Sequence, residues 1–125
     1  MCGRTTVVIG KEGEELALEY LLQRGLRLQT RNWRFGRWEL DLVMEDDCCL
    51  RIVEVRSRKE PAAVSPQDTV SRHKQTCLRK AAAAYARCYC IQKEVVFDVV
   101  AVLMREDGTV LIEYFPEAFY PFVWI

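Results

Sequence analysis

The segment WELDLVMEDDCCLRIVEVR, residues 38–56, contains the two strand patterns that decide the fold. Its second half, Cys49 to Arg56, carries apolar residues at both odd and even positions, as is typical of a central strand covered on both faces. Its first half, Trp38 to Met44, indicates a neighbouring strand, and Asp46-Asp47 predicts the turn between the two. We therefore expect a sheet that is covered on both sides.

The flanking sequence predicts helices and further strands around this pair. Gly25 is a plausible stop for the first helix, because glycine favours the position just after a helix. The elements predicted outside the central pair are helices over about 11–24 and 67–88, strands over 26–33, 95–104 and 109–115, and a loop over 57–66. Helices that cover a mixed sheet of about five strands are the economical arrangement of this order, so the predicted fold class is three-layer α/β.

Length and composition favour one globular domain. The chain has 125 residues, of which 50% are apolar, and this is too apolar for disorder. No apolar run approaches the roughly 20 residues that a membrane helix needs. The first ten residues carry one basic side chain and too short an apolar stretch for a signal peptide. We expect a single domain over 1–125, with 1–9 as a flexible N-terminus, in the cytoplasm.

The six cysteines do not form a recognisable metal or disulfide framework. Cys48 and Cys49 are adjacent, Cys88 and Cys90 are one residue apart, and no C-x-x-C pair is present. With only one histidine in the chain, a zinc site of about four ligands is not available. We expect reduced and mostly buried cysteines.

The net charge of zero conceals blocks of opposite sign. Residues 24–37 carry five arginines and no acid, residues 38–50 carry five acids and no base, and residues 51–93 are again mainly basic. Arginine outnumbers lysine 13 to 5, which mildly favours phosphate contacts because the guanidinium fork fits phosphate oxygens. Solvated surface is the simpler explanation for most single charges, but a basic face is compatible with the pattern.

Two acids lie where the pattern expects an apolar side chain. Glu14 shares its predicted helix face with Leu18 and Leu21, a face that should pack on the sheet. Taken alone, Glu14 is more simply a first-turn acid stabilised by the helix dipole. Asp41 lies inside a predicted strand, where aspartate is depleted, although a strand end or exposed edge would also accommodate it.

The next strand and the second helix add a further acid and two cations. Glu54 and Arg56 point to one face of their strand, about 6.6 Å apart, and continue an otherwise apolar row. A simple ion pair at a strand end is the alternative. Lys74 is the single charge on the apolar stripe of the second helix, where it either snorkels from the core edge or points toward the acids. Asp98 is a similar strand acid, for which we favour a structural role.

These residues together indicate phosphodiester chemistry. Glu14, Asp41 and Glu54 come from a helix and two strands, and acids that repel one another can converge around a cation. Mg²⁺ is usually held by one or two carboxylates, with water and phosphate oxygens completing its shell. Such an ion polarises phosphorus and activates water, while the cation after the last acid can stabilise the added negative charge.

The chain resembles the YraN-like family of uncharacterised bacterial proteins over roughly residues 10 to 119. This family looks like a member of the restriction-endonuclease-like, PD-(D/E)xK nuclease superfamily, near the archaeal Holliday-junction resolvases. The resemblance implies an α/β fold with a mixed central sheet and a Mg²⁺ or Mn²⁺ site at Glu14, Asp41 and Glu54. The motifs that carry it stand in order as Gly10-x-x-Gly13-Glu14-x-x-Ala17, Gly25, Arg31-Asn32-Trp33-Arg34, Glu39-Leu40-Asp41-Leu42-Val43, Val53-Glu54-Val55-Arg56-x-Arg58, Lys74 before Ala81-Ala82 and Tyr85, and Phe97-Asp98-Val99-Val100-Ala101-Val102.

Two positions depart from the family pattern. Trp38 replaces the glycine of the usual Gly-Glu-Ile-Asp, so its ring either narrows the approach to Asp41 or stacks on a base. Arg56 replaces the lysine of the E-x-K motif. Arginine keeps the positive charge and can hold a phosphate, but it cannot deprotonate and is not a compact ammonium. Weakened or lost activity is therefore one expectation at this position.

Three functions remain open from the sequence. The first is a metal-dependent endonuclease acting on DNA, with branched or damaged DNA as candidate substrates, in which Arg56 contacts the scissile phosphate and Lys74 lies nearby. The second is a nucleic-acid-binding module that kept the fold and lost the chemistry, and the third is a protein-interaction scaffold. A homodimer is expected by analogy with the resolvases. The candidate contacts to the nucleic-acid backbone are Arg31, Arg34, Arg37, Arg58, Arg72, Arg79 and Lys80.

Overall fold

A computed structural model of the chain describes residues 6–60 and 70–121, with the backbone alone described for 6–11. The elements are α1 (Thr6–Gln23), β1 (Arg27–Phe35), β2 (Trp38–Glu45), β3 (Cys49–Lys59), α2 (Arg72–Cys88), β4 (Glu94–Met104) and β5 (Val110–Phe119). Neither of these two helices is long and apolar enough to cross a membrane.

The five strands form one mixed sheet in the order β1-β2-β3-β4-β5. The pairs β1–β2, β2–β3 and β4–β5 are antiparallel, whereas β3 and β4 are parallel because α2 connects them. Central strand β3 pairs with β4 along its whole length, from Cys49 to Lys59. The predicted α/β class with a mixed five-stranded sheet is confirmed.

Each face of the sheet is covered by one helix, which makes three layers. On one face α1 packs against β2, β3 and β4 through a buried cluster of Ala17, Leu18, Leu21, Leu42, Met44, Val53, Val100 and Val102. On the other face α2 packs through Leu40, Val43, Leu50, Ile52, Leu78, Ala81, Ala82, Tyr85 and Phe97. Burial of these side chains supplies the main driving force for folding.

Several element boundaries differ from the predictions. Helix α1 begins at Thr6 and not near Lys11, so it includes two glycines that lower helix propensity, and residues 6–9 of the predicted flexible segment are helical. Strand β3 continues to Lys59, through the beginning of the predicted loop. Helix α2 begins at Arg72, because the hydroxyl oxygen of Ser71 caps it by accepting from the amide of Lys74. Residues 1–5 and 61–69, which hold the rest of the flexible segment, most of the loop and the predicted helix start, lie outside the described residues.

Asp98 is fully buried in β4, and its hydrogen bonds tie β4 to β3 and β5. Its carboxylate accepts from the Arg51 guanidinium at 3.3 Å, from the hydroxyl of Tyr114 and from the backbone amide of Glu117 at 2.8 Å. Glu117 has a positive φ of 51° in the irregular part of β5 that follows Pro116. Asp98 therefore fixes the bulge that lets β5 run on to Phe119, beyond its predicted end.

The expectation that the cysteines are mostly buried is wrong for the part of the chain that the structure describes. All five cysteines there are free thiols, and Cys48, Cys88 and Cys90 are exposed while Cys49 is buried. Cys88 falls outside the buried stripe of α2, which runs through Leu78 and Ala82. Packing against the sheet decides which face of α2 is buried, and helix periodicity alone does not fix it.

The sheet opens between β2 and β3 at one end. Their pairing runs only from Glu45↔Leu50 to Leu42↔Val53, although both strands continue beyond it with their outer neighbours. Leu40 packs in the α2 core and Leu42 in the α1 core, whereas residues two apart in a regular strand share a face. The alternation of β2 is therefore shifted at Asp41, where the two strands part.

A close helix–strand contact brings the start of α1 to this opening. A Cβ atom added to Gly13 would lie 1.7 Å from Oγ and 2.8 Å from Cβ of Ser57 in β3. Only glycine allows this approach, because the second distance is shorter than real Cβ contacts. The contact positions the neighbouring Glu14 beside the opening.

We predict that Gly13→Ala lowers the free energy of unfolding by about 1–3 kcal/mol, as overpacked sites do. In a helix without this contact the same change would stabilise by up to about 1 kcal/mol, so the sign of the effect is diagnostic. Urea unfolding of the variant and of Gly13→Ala/Ser57→Gly measures it. The double variant should recover part of the loss, and a Gly13→Ala protein as stable as the parent would contradict the contact.

Candidate metal and nucleic-acid site

Asp41 occupies the point at which β2 and β3 separate. Its Oδ2 accepts a hydrogen bond of 3.0 Å from the backbone amide of Val55 in β3. Val55 lies two residues beyond Val53, the last residue of β3 that pairs with β2. The Asp41 side chain therefore takes the place of a β2 backbone carbonyl as the acceptor for the Val55 amide. The carboxyl group thus joins the two strands where their ladder ends, which explains an aspartate inside a strand.

Glu54 lies directly across the same opening and is almost fully buried, with 4% of its surface exposed. Its Oε2 lies 3.6 Å from Nζ of Lys74 in α2 and 3.6 Å from a terminal nitrogen of Arg56. The sequence left open whether Lys74 points toward the acids or snorkels from the core edge, and the structure places Lys74 and Arg56 at the same oxygen of Glu54. Among the described residues, no donor group hydrogen-bonds to the other oxygen, Oε1, although it is buried.

The two carboxyl groups are close enough to control each other's charge. Burial, then the negative charge of Glu54, then a hydrogen bond between the two carboxyls raise the pKa of Asp41 to about 8. The Val55 amide and the Lys74 ammonium act in the opposite direction but do not offset the first three causes. The pair therefore holds one proton at neutral pH, or else requires additional positive charge.

Glu14 approaches from α1 but is turned to a different partner. Its Oε1 accepts from the Asn32 amide at 2.8 Å, and the same amide donates to Glu39 at 3.0 Å. Burial, together with the charges of Asp41 and Glu39, raises the pKa of Glu14, while Asn32 and Arg31 lower it. Glu14 thus belongs to the same electrostatic cluster as Asp41.

Sequence reasoning did not assign roles to Asn32 and Glu39, although both lie in the quoted motifs. Asn32 has a positive φ of 49°, a conformation that asparagine tolerates better than most residues. The sequence pattern does not reveal this backbone conformation. Glu39 precedes Asp41 by two residues in the quoted motif, but the alternation of β2 is shifted at Asp41, so the regular strand pattern does not establish that the two acids share a face.

The donor set fits a divalent cation at Asp41 and Glu54, and less well at all three acids. In residues 6–60 and 70–121, no group of three or more Asp, Glu, His or Cys side chains is arranged to hold a metal ion. Two carboxylates suffice for Mg²⁺ when water and phosphate oxygens complete its shell. Two adjacent carboxyl groups that raise the pKa of Asp41 are an environment that such an ion would stabilise, because its positive charge would favour ionisation of both.

The predicted basic contacts divide into two groups. Arg31 pairs with Glu15 at 2.6 Å, Arg58 donates to the Ser57 carbonyl at 2.8 Å, and Arg79 donates to the Tyr120 carbonyl at 3.0 Å. These side chains are engaged within the protein. The second group is exposed and consists of Arg34, Arg37, Arg72 and Lys80. Of these, Arg34 pairs with Glu39 at 3.1 Å, beside the acidic cluster.

Comparison with known proteins identifies the family. Residues 13–102 match the family described as Uncharacterised protein family UPF0102, and the chain belongs to this family. The resemblance to the YraN-like proteins is thereby confirmed, and the matched range includes all of Glu14, Asp41, Glu54, Arg56 and Lys74.

Relatives of similar length support this assignment. A UPF0102 protein of Porphyromonas gingivalis is 38% identical over 100 residues, which covers 80% of this chain and 74% of the relative. One from Phocaeicola vulgatus is 38% identical over 115 residues, or 92% and 94% of the two chains. One from Flavobacterium psychrophilum is 37% identical over 114 residues, or 91% and 95%.

We predict that the metal-free protein loses stability as the pH rises from about 5 to about 8. The unfolded chain releases the Asp41 proton near pH 3.8, whereas the folded chain keeps it until about 8. The folded state therefore binds up to one more proton in this window, and its free energy of unfolding falls by at most about 1.4 kcal/mol per pH unit.

Urea unfolding across this pH range measures the effect. Asp41→Asn should flatten the profile, because it removes the group that titrates. Glu19→Gln, at an exposed position of α1, is the control and should follow the parent. An Asp41→Asn profile as steep as that of the parent would show that another group is responsible.

Proposed function

We propose that this protein is a metal-dependent endonuclease that hydrolyses phosphodiester bonds of DNA. The observation that carries the proposal is the pair of half-buried Asp41 and buried Glu54, which lies at the opening between β2 and β3 with two cations at one Glu54 oxygen. A carboxyl pair that resists double ionisation, beside an exposed set of basic side chains, suits a divalent cation and a polyanionic substrate.

Asp41 and Glu54 would hold Mg²⁺ or Mn²⁺. When bound, the ion supplies Lewis-acid activation of the phosphate and lowers the pKa of a water molecule. The Val55 amide orients the Asp41 carboxylate, and Asn32 holds Glu14 beside it as additional negative charge. The homodimer expected by analogy remains a prediction.

Arg56 and Lys74 would stabilise the negative charge of the substrate. Both lie 3.6 Å from Glu54, and the Lys74 side chain is 45% exposed against 26% for Arg56. The more exposed ammonium is better placed to leave Glu54 for a phosphate oxygen. Arg56 keeps a guanidinium where the family motif has lysine, and its buried Nε has no hydrogen-bond acceptor among the described residues.

A nucleic-acid-binding module without hydrolytic activity is the second candidate. The observation that favours it is the double engagement of Glu54, since Arg56 and Lys74 already neutralise this carboxylate without a metal ion. An arginine cannot act as a general base. The two candidates make different predictions for cleavage and the same prediction for binding.

We predict slow cleavage of branched or single-stranded DNA by the purified protein in Mn²⁺ or Mg²⁺. Asp41→Asn and Glu54→Gln should each lower the rate by at least about 100-fold, because each removes one of only two carboxylate ligands. Arg56→Lys should raise the rate if the arginine weakens catalysis. Gel assays on end-labelled duplex, single-stranded and four-way-junction DNA give these rates.

The matched control is Glu19→Gln, an exposed acid of α1 outside the cluster, which should cleave like the parent. If the parent and Arg56→Lys both bind DNA but cleave it with neither Mn²⁺ nor Mg²⁺, the binding module is supported. Cleavage that survives in both Asp41→Asn and Glu54→Gln would overturn the assignment of the site. Failure to bind DNA at low salt would exclude both candidates, because phosphate contacts dominate such binding.

A further inference from the structure

A cavity of about 570 Å³ lies between the turn that joins β1 to β2 and the N-terminal half of α2. The charged and aromatic side chains of its lining are Arg37, Trp38, Glu39, His73, Lys74 and Lys80. The volume lies within the range of small-molecule sites, roughly 300–1,000 Å³. The cavity is therefore large enough for one nucleotide.

The cavity has the charge expected for a phosphate. Arg37, Lys74 and Lys80 are basic, and Glu39 is the one acid that lines it. Glu39 is already paired with Arg34 at 3.1 Å and accepts from Asn32, so its charge is offset on the protein side. In the described residues, Arg37 has no ion pair, and its exposed guanidinium is available to a ligand.

Trp38 supplies an aromatic surface beside these cations. Its ring is only partly buried, lies 6.0 Å from the Phe35 ring at an interplanar angle of 29°, and has the Lys80 ammonium 5.3 Å from its centroid. Lys80 is exposed and reaches the ring by a flexible side chain. A base can take its place on the ring while the ammonium turns to the adjoining phosphate.

The cavity is continuous with the acidic cluster. Lys74 lines the cavity and also lies 3.6 Å from Glu54, and Glu39 lines it and shares the Asn32 amide with Glu14. A chain bound in the cavity would therefore extend toward the Asp41–Glu54 pair.

We propose that this cavity binds one unpaired nucleotide of a nucleic-acid strand, with its base on Trp38 and its phosphates on Arg37, Lys74 and Lys80. The inference rests on the proposed function for the nature of the bound chain and adds the form of the substrate. A base stacked on a side chain has left its duplex stack, so the preferred substrate is single-stranded or has an unpaired nucleotide next to the cleaved bond.

Binding of a fluorescein-labelled oligothymidylate of about eight nucleotides in EDTA tests the proposal without catalysis. Trp38→Ala should raise the Kd at least about fivefold, the lower end of a lost base–aromatic stack. Because Trp38 also packs against the α2 core, Trp38→Phe is the variant expected to stay folded. It should retain most of the affinity and lose the quenching of tryptophan fluorescence that the ligand causes in the parent.

Charge variants test the phosphate contacts. Arg37→Gln and Lys80→Gln should each lower the slope of log Kd against log salt concentration by about 0.7, the value for one phosphate of a single strand. Arg105→Gln is the matched control, since Arg105 is also an exposed arginine at a hairpin turn but lies between β4 and β5. It should leave both affinity and slope unchanged.

The outcomes separate this inference from the proposed function. A blunt duplex of the same length should compete at least tenfold less well than the single strand. Equal binding of duplex and single strand, or an affinity insensitive to Trp38, Arg37 and Lys80, overturns the cavity proposal and leaves the endonuclease proposal intact. Cavity-dependent binding together with absent cleavage in every metal overturns the endonuclease and leaves the cavity proposal standing.

Discussion

The half-buried carboxyl group of Asp41 and the buried one of Glu54 are held close together where β2 and β3 part, and the neighbouring structure is arranged around their charge. Burial and mutual repulsion raise the pKa of Asp41 to about 8, and Lys74 and Arg56 meet the second acid from a helix and from its own strand. Like charges in a site of low polarity persist only where cations, shared protons or metal ions offset them. This constraint accounts for the positions of both cations.

The surrounding fold keeps the pair in place. The Val55 amide, released from the ladder, holds Asp41 across the opening, and the contact between Gly13 and Ser57 lets α1 approach closely enough to bring Glu14 beside it. Asn32 then links Glu14 to Glu39. On the neighbouring strand β4, in register with Val53, Asp98 has a structural role: it accepts hydrogen bonds from Arg51 and from the Glu117 amide. Among the described residues Glu54 has a buried oxygen without a hydrogen-bond donor, whereas both oxygens of Asp98 accept hydrogen bonds.

Charges inside apolar patterns made the centre of the site predictable. Glu54 and Arg56 interrupt a row that begins with Leu50 and Ile52, and Lys74 interrupts the apolar stripe of α2. A charge inside an apolar pattern needs an opposite charge nearby, and in the structure Arg56 and Lys74 both lie beside Glu54. Asn32 was not predictable as a link, because its role depends on a positive φ that no spacing in the sequence reveals. Cys88, the exposed cysteine of α2, was misplaced because a stripe of alanines accepts more than one rotation of the helix against the sheet, and the packing of the core decides between them. The set of basic residues was predicted by charge alone, and charge does not distinguish Arg79, bonded to a carbonyl, from Arg37, which faces the cavity.

Calorimetric titration of the protein with Mn²⁺ tests most directly whether the Asp41–Glu54 pair is a cation site. We expect one saturable site whose affinity for Mn²⁺ falls at least about tenfold in Asp41→Asn and in Glu54→Gln, and is unchanged in Glu19→Gln. Binding of equal strength in all four proteins, or no saturable binding in the parent, would contradict it and leave the pair as a structural cluster neutralised by Lys74 and Arg56.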